Sequence, residues 1–272
     1  MGRATCIIRP ETADVPEALA QTVRDARRVA VLTGAGVSAE SGIPTFRGVR
    51  IGPPGPPGSE GSGGQAPFDP MVQASPEGFA ADPERVWQWY EWRRRLVLQA
   101  RPNAAHLALA RLEQHVPRFT LATQNVDDLH ERAGSRRVLH VHGELFANRC
   151  FAEGRLLRDE ELDHGSVPPR CPCGAHARPG VVWFGEPLPG RVWEAAARAF
   201  AECDLCLVVG TSATVYPAAS LVDLAPGAAV RVVVNPAATG HAEDADYLLL
   251  QPAGRALPTL VAAAFGDAAP GA

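Results

Sequence analysis

The sequence predicts an α/β fold, a Rossmann-like parallel sheet with helices between its strands. Three observations predict it. Continuous apolar runs at residues 29–32, 119–122, 138–141, 205–209 and 230–234 read as strands buried on both faces. Stretches with helical spacing or composition (15–28, 126–133, 192–201 and 217–224) alternate with them, which is the pattern of a parallel sheet. The polar motifs fall where those strands end, at the edge where such sheets bind ligands.

Taken in order, residues 15–28 carry helical spacing and lead into the first strand. That strand runs directly into Gly34-Ala35-Gly36-x-x-Ala39, the spacing of a dinucleotide fingerprint with Ala in third place. Glycines there let the backbone turn tightly and approach a pyrophosphate at a helix N-terminus. A hydride-transferring protein of this fold would show an acidic residue about 20 positions on. Here that distance falls in a Gly/Pro-rich loop at 49–65, which reads as flexible. Residues 83–100 form an amphipathic helix in which Val86, Tyr90, Arg93 and Val97 share one stripe, flanked by Trp89 and Leu96. Arg93 is a charge inside that stripe. It either snorkels or pairs with a structural carboxylate, or it meets a charged ligand. The second strand ends in Thr123-Gln124-Asn125-x-Asp127, whose amides and carboxylate can serve a ligand or cap the next helix. His140 and His142 follow at period two, a spacing that does not choose between them. Gly210-Thr211-Ser212, Asn235 and the Gly254-Arg255 turn close the series, and each could equally be an ordinary sheet turn.

Composition bounds the function. With 272 residues, 46% of them hydrophobic, the chain can bury a sizeable core. A net charge of −4 gives no global basic field, so no nucleic-acid partner is expected. All 26 basic residues are Arg. No signal-peptide pattern, myristoylation motif or membrane-spanning run is seen, and six cysteines do not make a disulfide framework. A cytoplasmic protein without a membrane partner is expected.

The string Thr33-Gly34-Ala35-Gly36-Val37-Ser38-Ala39-Glu40-Ser41-Gly42-Ile43-Pro44-Thr45-Phe46-Arg47 resembles the signature of the sirtuins, NAD-consuming protein-lysine deacylases. The resemblance extends over roughly residues 14–265. It implies a Rossmann-like NAD-binding domain built from 14–46, 104–146 and 181–266. A flexible cofactor loop and helical module would span 47–103, a zinc-ribbon-like module 147–180, and tails 1–13 and 267–272. It also implies that Gly34, Ala35, Gly36, Phe46, Arg47, Gln124, Asn125, Asp127, Gly210, Thr211, Ser212, Asn235 and Arg255 bind NAD. Of the two histidines it selects His142, which precedes Gly143, as catalytic base, with Asn125 beside it in catalysis. Val182, Phe184 and Gly185 in the Val182-Trp-Phe-Gly-Glu186 string would pair with the substrate peptide.

The implied chemistry begins when the acyl oxygen of a modified lysine attacks C1′ of the NAD ribose and nicotinamide leaves. His142 then takes a proton from the ribose hydroxyls, the 2′-oxygen attacks the acyl carbon, and water yields free lysine and O-acyl-ADP-ribose. Tyr90-x-x-Arg93 resembles the class III branch, which removes succinyl, malonyl or glutaryl groups, and an acyl carboxylate would be the ligand for Arg93. Family members also hold a structural zinc on two Cys pairs. Here Cys150, Cys171 and Cys173 are candidate ligands, and Glu153, His164 or His176 could be the fourth. A metal-free ribbon is the alternative. The Cys203-x-x-Cys206 pair enters a buried strand and reads as core. The expected partners are acylated-lysine proteins and NAD, and the expected state is a monomer. A mono-ADP-ribosyltransferase and a non-enzymatic NAD or ADP-ribose sensor are the competing readings.

Overall fold

The computed structural model describes residues 5–9, 15–45, 69–212 and 214–266. In chain order the elements are β1 (Cys6–Ile8), α1 (Glu17–Asp25), β2 (Arg28–Thr33), α2 (Ala35–Ala39), α3 (Pro70–Gln73), α4 (Pro76–Ala81), α5 (Pro83–Gln99) and α6 (Ala104–His115). There follow β3 (Arg118–Thr123), α7 (Leu129–Arg132), β4 (Val138–His140), β5 (Gly143–Cys150), β6 (Leu156–Leu157) and β7 (Ala177–Val181). Last come α8 (Gly190–Ala201), β8 (Leu205–Val209), β9 (Val230–Val234), β10 (Tyr247–Leu249) and α9 (Ala253–Phe265). They form two compact units, one of Met1–Gly42, Arg101–Val141 and Pro189–Ala272, the other of Ile43–Ala100 and His142–Leu188.

In the first unit seven strands make one sheet in the order β1-β10-β9-β8-β2-β3-β4. Every neighbouring pair is parallel. β2 is an interior strand between β8 and β3, so Val29 to Thr33 are all buried, which is why that run reads as continuously apolar. Alternation sends Val29 and Val31 into one core with Leu109, Leu112, Leu257 and Leu260. Ala30 and Leu32 enter the opposite core with Phe200, Leu221 and Val222. The second core also buries Cys203 and Cys206, in keeping with their reading as core.

In the second unit β6, β5 and β7 make a three-stranded antiparallel sheet. α5 begins where sequence chemistry dictates: the Asp82 carboxylate accepts from the Arg85 N–H at 3.1 Å, with Pro83 in the first turn. Arg94 ties this helix to β5, donating to the Leu145 carbonyl and the Asn148 amide oxygen at 2.8 Å each.

Several expectations need correction. The stretch 126–133 is helical only at Leu129–Arg132, because the residues before it are held by side-chain and main-chain bonds at the strand end. Ala218–Leu224 is a 3-10 helix. β4 ends at His140 and β5 starts at Gly143, so His140 and His142 do not share a strand face. By compactness alone, residues 43–100 and 142–188 group together and residues 101–141 go with the other unit. Among the described residues no helix is long and apolar enough to cross a membrane.

Candidate active site

In the first unit Gly34, Ala35, Gly36, Gln124, Asn125, Asp127, Gly210, Thr211, Ser212 and Asn235 follow the carboxyl ends of four adjacent strands, β9, β8, β2 and β3. The β2–α2 turn and the β8 end are meshed. The Gly36 N–H donates to the Gly210 carbonyl at 2.8 Å, and a Cβ on Gly36 would sit 2.7 Å from that oxygen. Gly210 itself has φ +59°, and a Cβ there would lie 2.6 Å from the Val37 nitrogen. These two glycines are therefore required by backbone packing, whatever else they approach.

Ser38, one turn beyond Gly34, organises the polar floor. Its hydroxyl donates to Asp127 Oδ2 at 2.9 Å and accepts from Asn125 Nδ2 at 2.9 Å. Asn125 Nδ2 also donates to the Gly34 carbonyl at 3.1 Å, and its Oδ1 makes no hydrogen bond among the described residues. Asp127 Oδ1 accepts from the Leu129 N–H at 3.2 Å in an i to i+2 turn ahead of the helix, whose N-cap is Asp128 and not Asn125 or Asp127 as the capping reading has it. Burial pushes the Asp127 carboxyl up from the ordinary carboxylate value, opposed by the Ser38 and Leu129 hydrogen bonds. Gln124 Nε2 reaches Thr211 Oγ1 at 2.9 Å, linking β3 to β8. Ser212 Oγ lies 3.2 Å from Thr214 Oγ1, and Asn235 Nδ2 donates to the Ala237 carbonyl at 2.7 Å. Arg255 is exposed in the first turn of α9, beside Gly254, whose N–H is held by Glu40 at 3.0 Å. Phe46 and Arg47, like the 49–65 loop, lie outside the described residues. His140 is committed here, with Nδ1 3.1 Å from the Asn125 carbonyl and Nε2 2.7 Å from Glu131.

The second unit holds the other candidates. His142 is half-buried, and its carbonyl accepts from the Val182 N–H at 2.7 Å. The following Gly143 has φ +75°, and a Cβ there would lie 2.2 Å from the Gly180 oxygen, so the His-Gly pair has a steric cause. On α5 the whole stripe read from sequence is buried: Val86, Tyr90, Arg93 and Val97, with Trp87 and Trp89. Tyr90 is 3% exposed, and its oxygen accepts from Trp183 Nε1 at 2.9 Å. Burial pushes the Tyr90 hydroxyl up to about 12, which leaves it a neutral O–H donor at neutral pH. Arg93 is 4% exposed, with its guanidinium carbon 5.1 Å from the centroid of the Trp89 ring. Arg178 stacks on Trp183 at 3.4 Å and pairs with Glu186, which also accepts from the Trp183 N–H at 2.8 Å. Within Val182-Trp-Phe-Gly-Glu186, the amides of Val182 and Phe184 are engaged by the His142 and Ala74 carbonyls. Gly185 is exposed with φ +86°.

Cys150, Cys171, Cys173 and Glu153 also meet in this unit, their ligand atoms all within 4.8 Å of one another. Cys150 Sγ lies 3.4 Å from Cys173 Sγ and accepts from the Glu153 N–H at 3.4 Å. Three thiols and a carboxylate at this spacing fit tetrahedral zinc. Of the three candidates for the fourth position, Glu153 alone joins the cluster. His164 lies 3.7 Å from Asp159, and His176 packs edge-on against Phe79. Arg155 donates to Glu153 Oε2 at 3.0 Å and so orients it.

Sequence reading missed Ser38 and Trp183, although both stand inside strings it singled out. Ser38 was detectable as the residue one helical turn past Gly34. Trp183 had no signal, because its indole finds Tyr90 across 93 residues of chain.

A parallel sheet whose glycine turn and amide-rich strand ends converge at one edge defines a nucleotide-binding α/β protein. The model of the Sir2 family matches residues 34–217. An NAD-dependent protein deacylase of Methylococcus capsulatus is 50% identical over 254 residues, covering 90% of this chain and 95% of that protein. The crystal structure of a Sir2 homolog–NAD complex is 44% identical, with a TM-score of 0.78 over 91% of this chain and 93% of that one. A Sir2–p53 peptide–NAD+ structure is 30% identical, with a TM-score of 0.72 over 87% and 93% of the two chains. The chain belongs to the Sir2 family.

Proposed function

We propose that this Sir2-family protein removes acidic acyl groups, succinyl and malonyl before acetyl, from protein lysines. It is an NAD-dependent protein deacylase, as its family and its curated relatives are. The acyl preference is our reading, and one observation carries it: Arg93 is buried one helical turn from Tyr90 on α5. The Tyr90 oxygen already accepts from Trp183, so its own O–H is left to donate. A guanidinium and a hydroxyl side by side in an apolar wall suit a carboxylate at the end of an acyl chain.

In this reading Gln124, Asn125 and Asp127 hold the ribose and nicotinamide end of NAD, with Asn125 Oδ1, which accepts nothing among the described residues, as an acceptor for it. Gly34, Ala35, Gly36, Phe46 and Arg47 serve the pyrophosphate side. Gly210, Thr211, Ser212, Asn235 and Arg255 serve the adenosine half. His142 is the general base that takes a proton from the ribose hydroxyls once nicotinamide has left. His140 does not compete, because both its ring nitrogens face acceptors. Exposed Gly185, with the carbonyls of Val182 and Phe184, whose amides are already engaged, pairs with the main chain of an acylated peptide. Zinc, held by Cys150, Glu153, Cys171 and Cys173, supplies structural cross-linking and takes no part in the reaction. The protein works as a cytoplasmic monomer without nucleic acid.

The test compares matched succinyl-, malonyl- and acetyl-lysine peptides, with O-acyl-ADP-ribose measured by mass. Higher kcat/KM for the acidic acyl groups is expected. Acetyl preference would overturn the acyl assignment. ADP-ribose appearing on protein, without O-acyl-ADP-ribose, would favour a transferase, and NAD binding without turnover a sensor.

A further inference from the structure

Beneath Asn125 lies a chain of buried polar groups that the proposed reaction does not use. The Asn125 N–H donates to Thr123 Oγ1 at 3.0 Å. Thr33 Oγ1 lies 2.8 Å from Thr123 Oγ1 and 3.0 Å from His130 Nε2. Thr33, Thr123, His106 and His130 are all fully buried. On the far side the Asn103 N–H donates to His106 Nδ1 at 3.2 Å. The two imidazoles adjoin, with centroids 4.8 Å apart, and the ring nitrogens left over are His106 Nε2 and His130 Nδ1, both buried without a hydrogen-bond partner.

The proton positions follow from these contacts. His106 Nδ1 accepts, so a neutral ring carries its proton on Nε2. If Thr33 donates to Thr123, His130 must donate from Nε2 and leave Nδ1 bare. The two rings pack without a hydrogen bond between them, so the bonded chain runs from His130 through Thr33 to Thr123, which also accepts from the Asn125 N–H, and His106 backs it by packing. Both rings are neutral at neutral pH: burial pushes His106 down to about 4, and pushes His130 well below its ordinary value.

We propose that His130, Thr33 and Thr123 form a proton-ordered buried chain, with His106 packed behind it, that fixes the main chain of Asn125 and makes them positioning residues for cleavage of the nicotinamide bond. The proposal rests on the role assigned to Asn125 above. An amide anchored through its own backbone N–H presents its side chain in one orientation. Loosening that anchor misplaces the side chain without removing any group that touches NAD. Misplacement of about 1 Å is enough to cost up to about 100-fold in rate.

The experiment is a cycle of Thr33→Val with Asn125→Ala, scored by kcat and by KM for NAD at saturating peptide. Thr33→Val should lower kcat about tenfold or more with KM for NAD within about threefold, and Thr33→Ser should restore most of it. On the Asn125→Ala background, Thr33→Val should cost less than about twofold further. The same loss on both backgrounds, or a fall in melting temperature with kcat unchanged, overturns the anchoring chain. Asn125→Ala alone tests the catalytic role separately: wild-type turnover in that variant defeats the assignment of Asn125, not the anchoring. Nitrogen-15 histidine NMR of the unaltered protein reads the order directly. Nε2–H tautomers on both His106 and His130 are expected between pH 6 and 8, and an Nδ1–H tautomer on His130 overturns the proposal even if Thr33→Val does not fold.

Discussion

Replacing Arg93 with Met is the most direct perturbation of the acyl pocket. Met keeps the apolar stem and removes the guanidinium. Two losses are expected, and they separate. The first is the stacking of the guanidinium on Trp89, at 5.1 Å, about 1–2 kcal/mol for a desolvated cation–π contact. It lowers stability and touches succinyl and acetyl substrates alike. The second is a charge-assisted hydrogen bond to the acyl carboxylate, about 1.5–3 kcal/mol, and only the acidic substrate feels it. The quantity to measure is therefore the ratio of kcat/KM for succinyl and acetyl forms of one peptide. It should fall roughly 10- to 100-fold in Arg93→Met, with deacetylation unchanged or improved. Arg94 is unsuitable as the control despite lying off the stripe, because it ties α5 to β5 through Leu145 and Asn148. Arg95, exposed on the same helix, is the proper one. An equal loss for both substrates in Arg93→Met would make Arg93 structural and remove the acidic-acyl assignment.

His142→Ala should keep NAD binding, measured by calorimetry, and lose at least about 100-fold in turnover; wild-type rates would remove it as the base. Untagged protein should carry about one zinc per chain, and Glu153→Ala should weaken retention against a chelator about 10-fold or more. Unchanged retention in that variant would exclude Glu153 as a ligand. Stability should fall as pH drops from about 6.5 towards about 4, because unfolding frees His106 to take a proton that burial denies it in the fold. The shift from 6.5 to about 4 sets an upper limit of about 3 kcal/mol, read by urea melts across that range. A flat profile there would show that His106 is not held neutral.

Five strands of the large sheet were legible as apolar runs, β2, β3, β8 and β9 from the interior of the sheet and the half-buried edge strand β4. β1 and β10 complete the same sheet, span three residues each and were not read. α6 went unmarked even though Asn103 caps it by accepting from the Ala105 N–H at 2.9 Å. The over-long helix at 126–133 failed for a different reason. Asn125 and Asp127 hold bonds to Gly34, Ser38 and Thr123, and such long-range contacts override local propensity. The Arg93 stripe was read correctly because helical period and burial coincide there. The partner of Tyr90 was not legible, since only the fold brings Trp183 to it.

The arginine clasps on α5 and around Trp183 carry one more consequence. Lysine is the residue that reactive acyl thioesters and acyl phosphates modify, and the whole sequence contains none. A guanidinium stays protonated throughout the physiological range and is a poor nucleophile towards such donors. Arg94 and Arg178 thus provide the charge and the hydrogen bonds that lysine could provide only in part, on side chains that metabolic acylation leaves alone. The side chains of an eraser of acyl marks built this way do not accumulate the marks it erases, and its scaffold keeps its charge when the surrounding proteome loses some of its own.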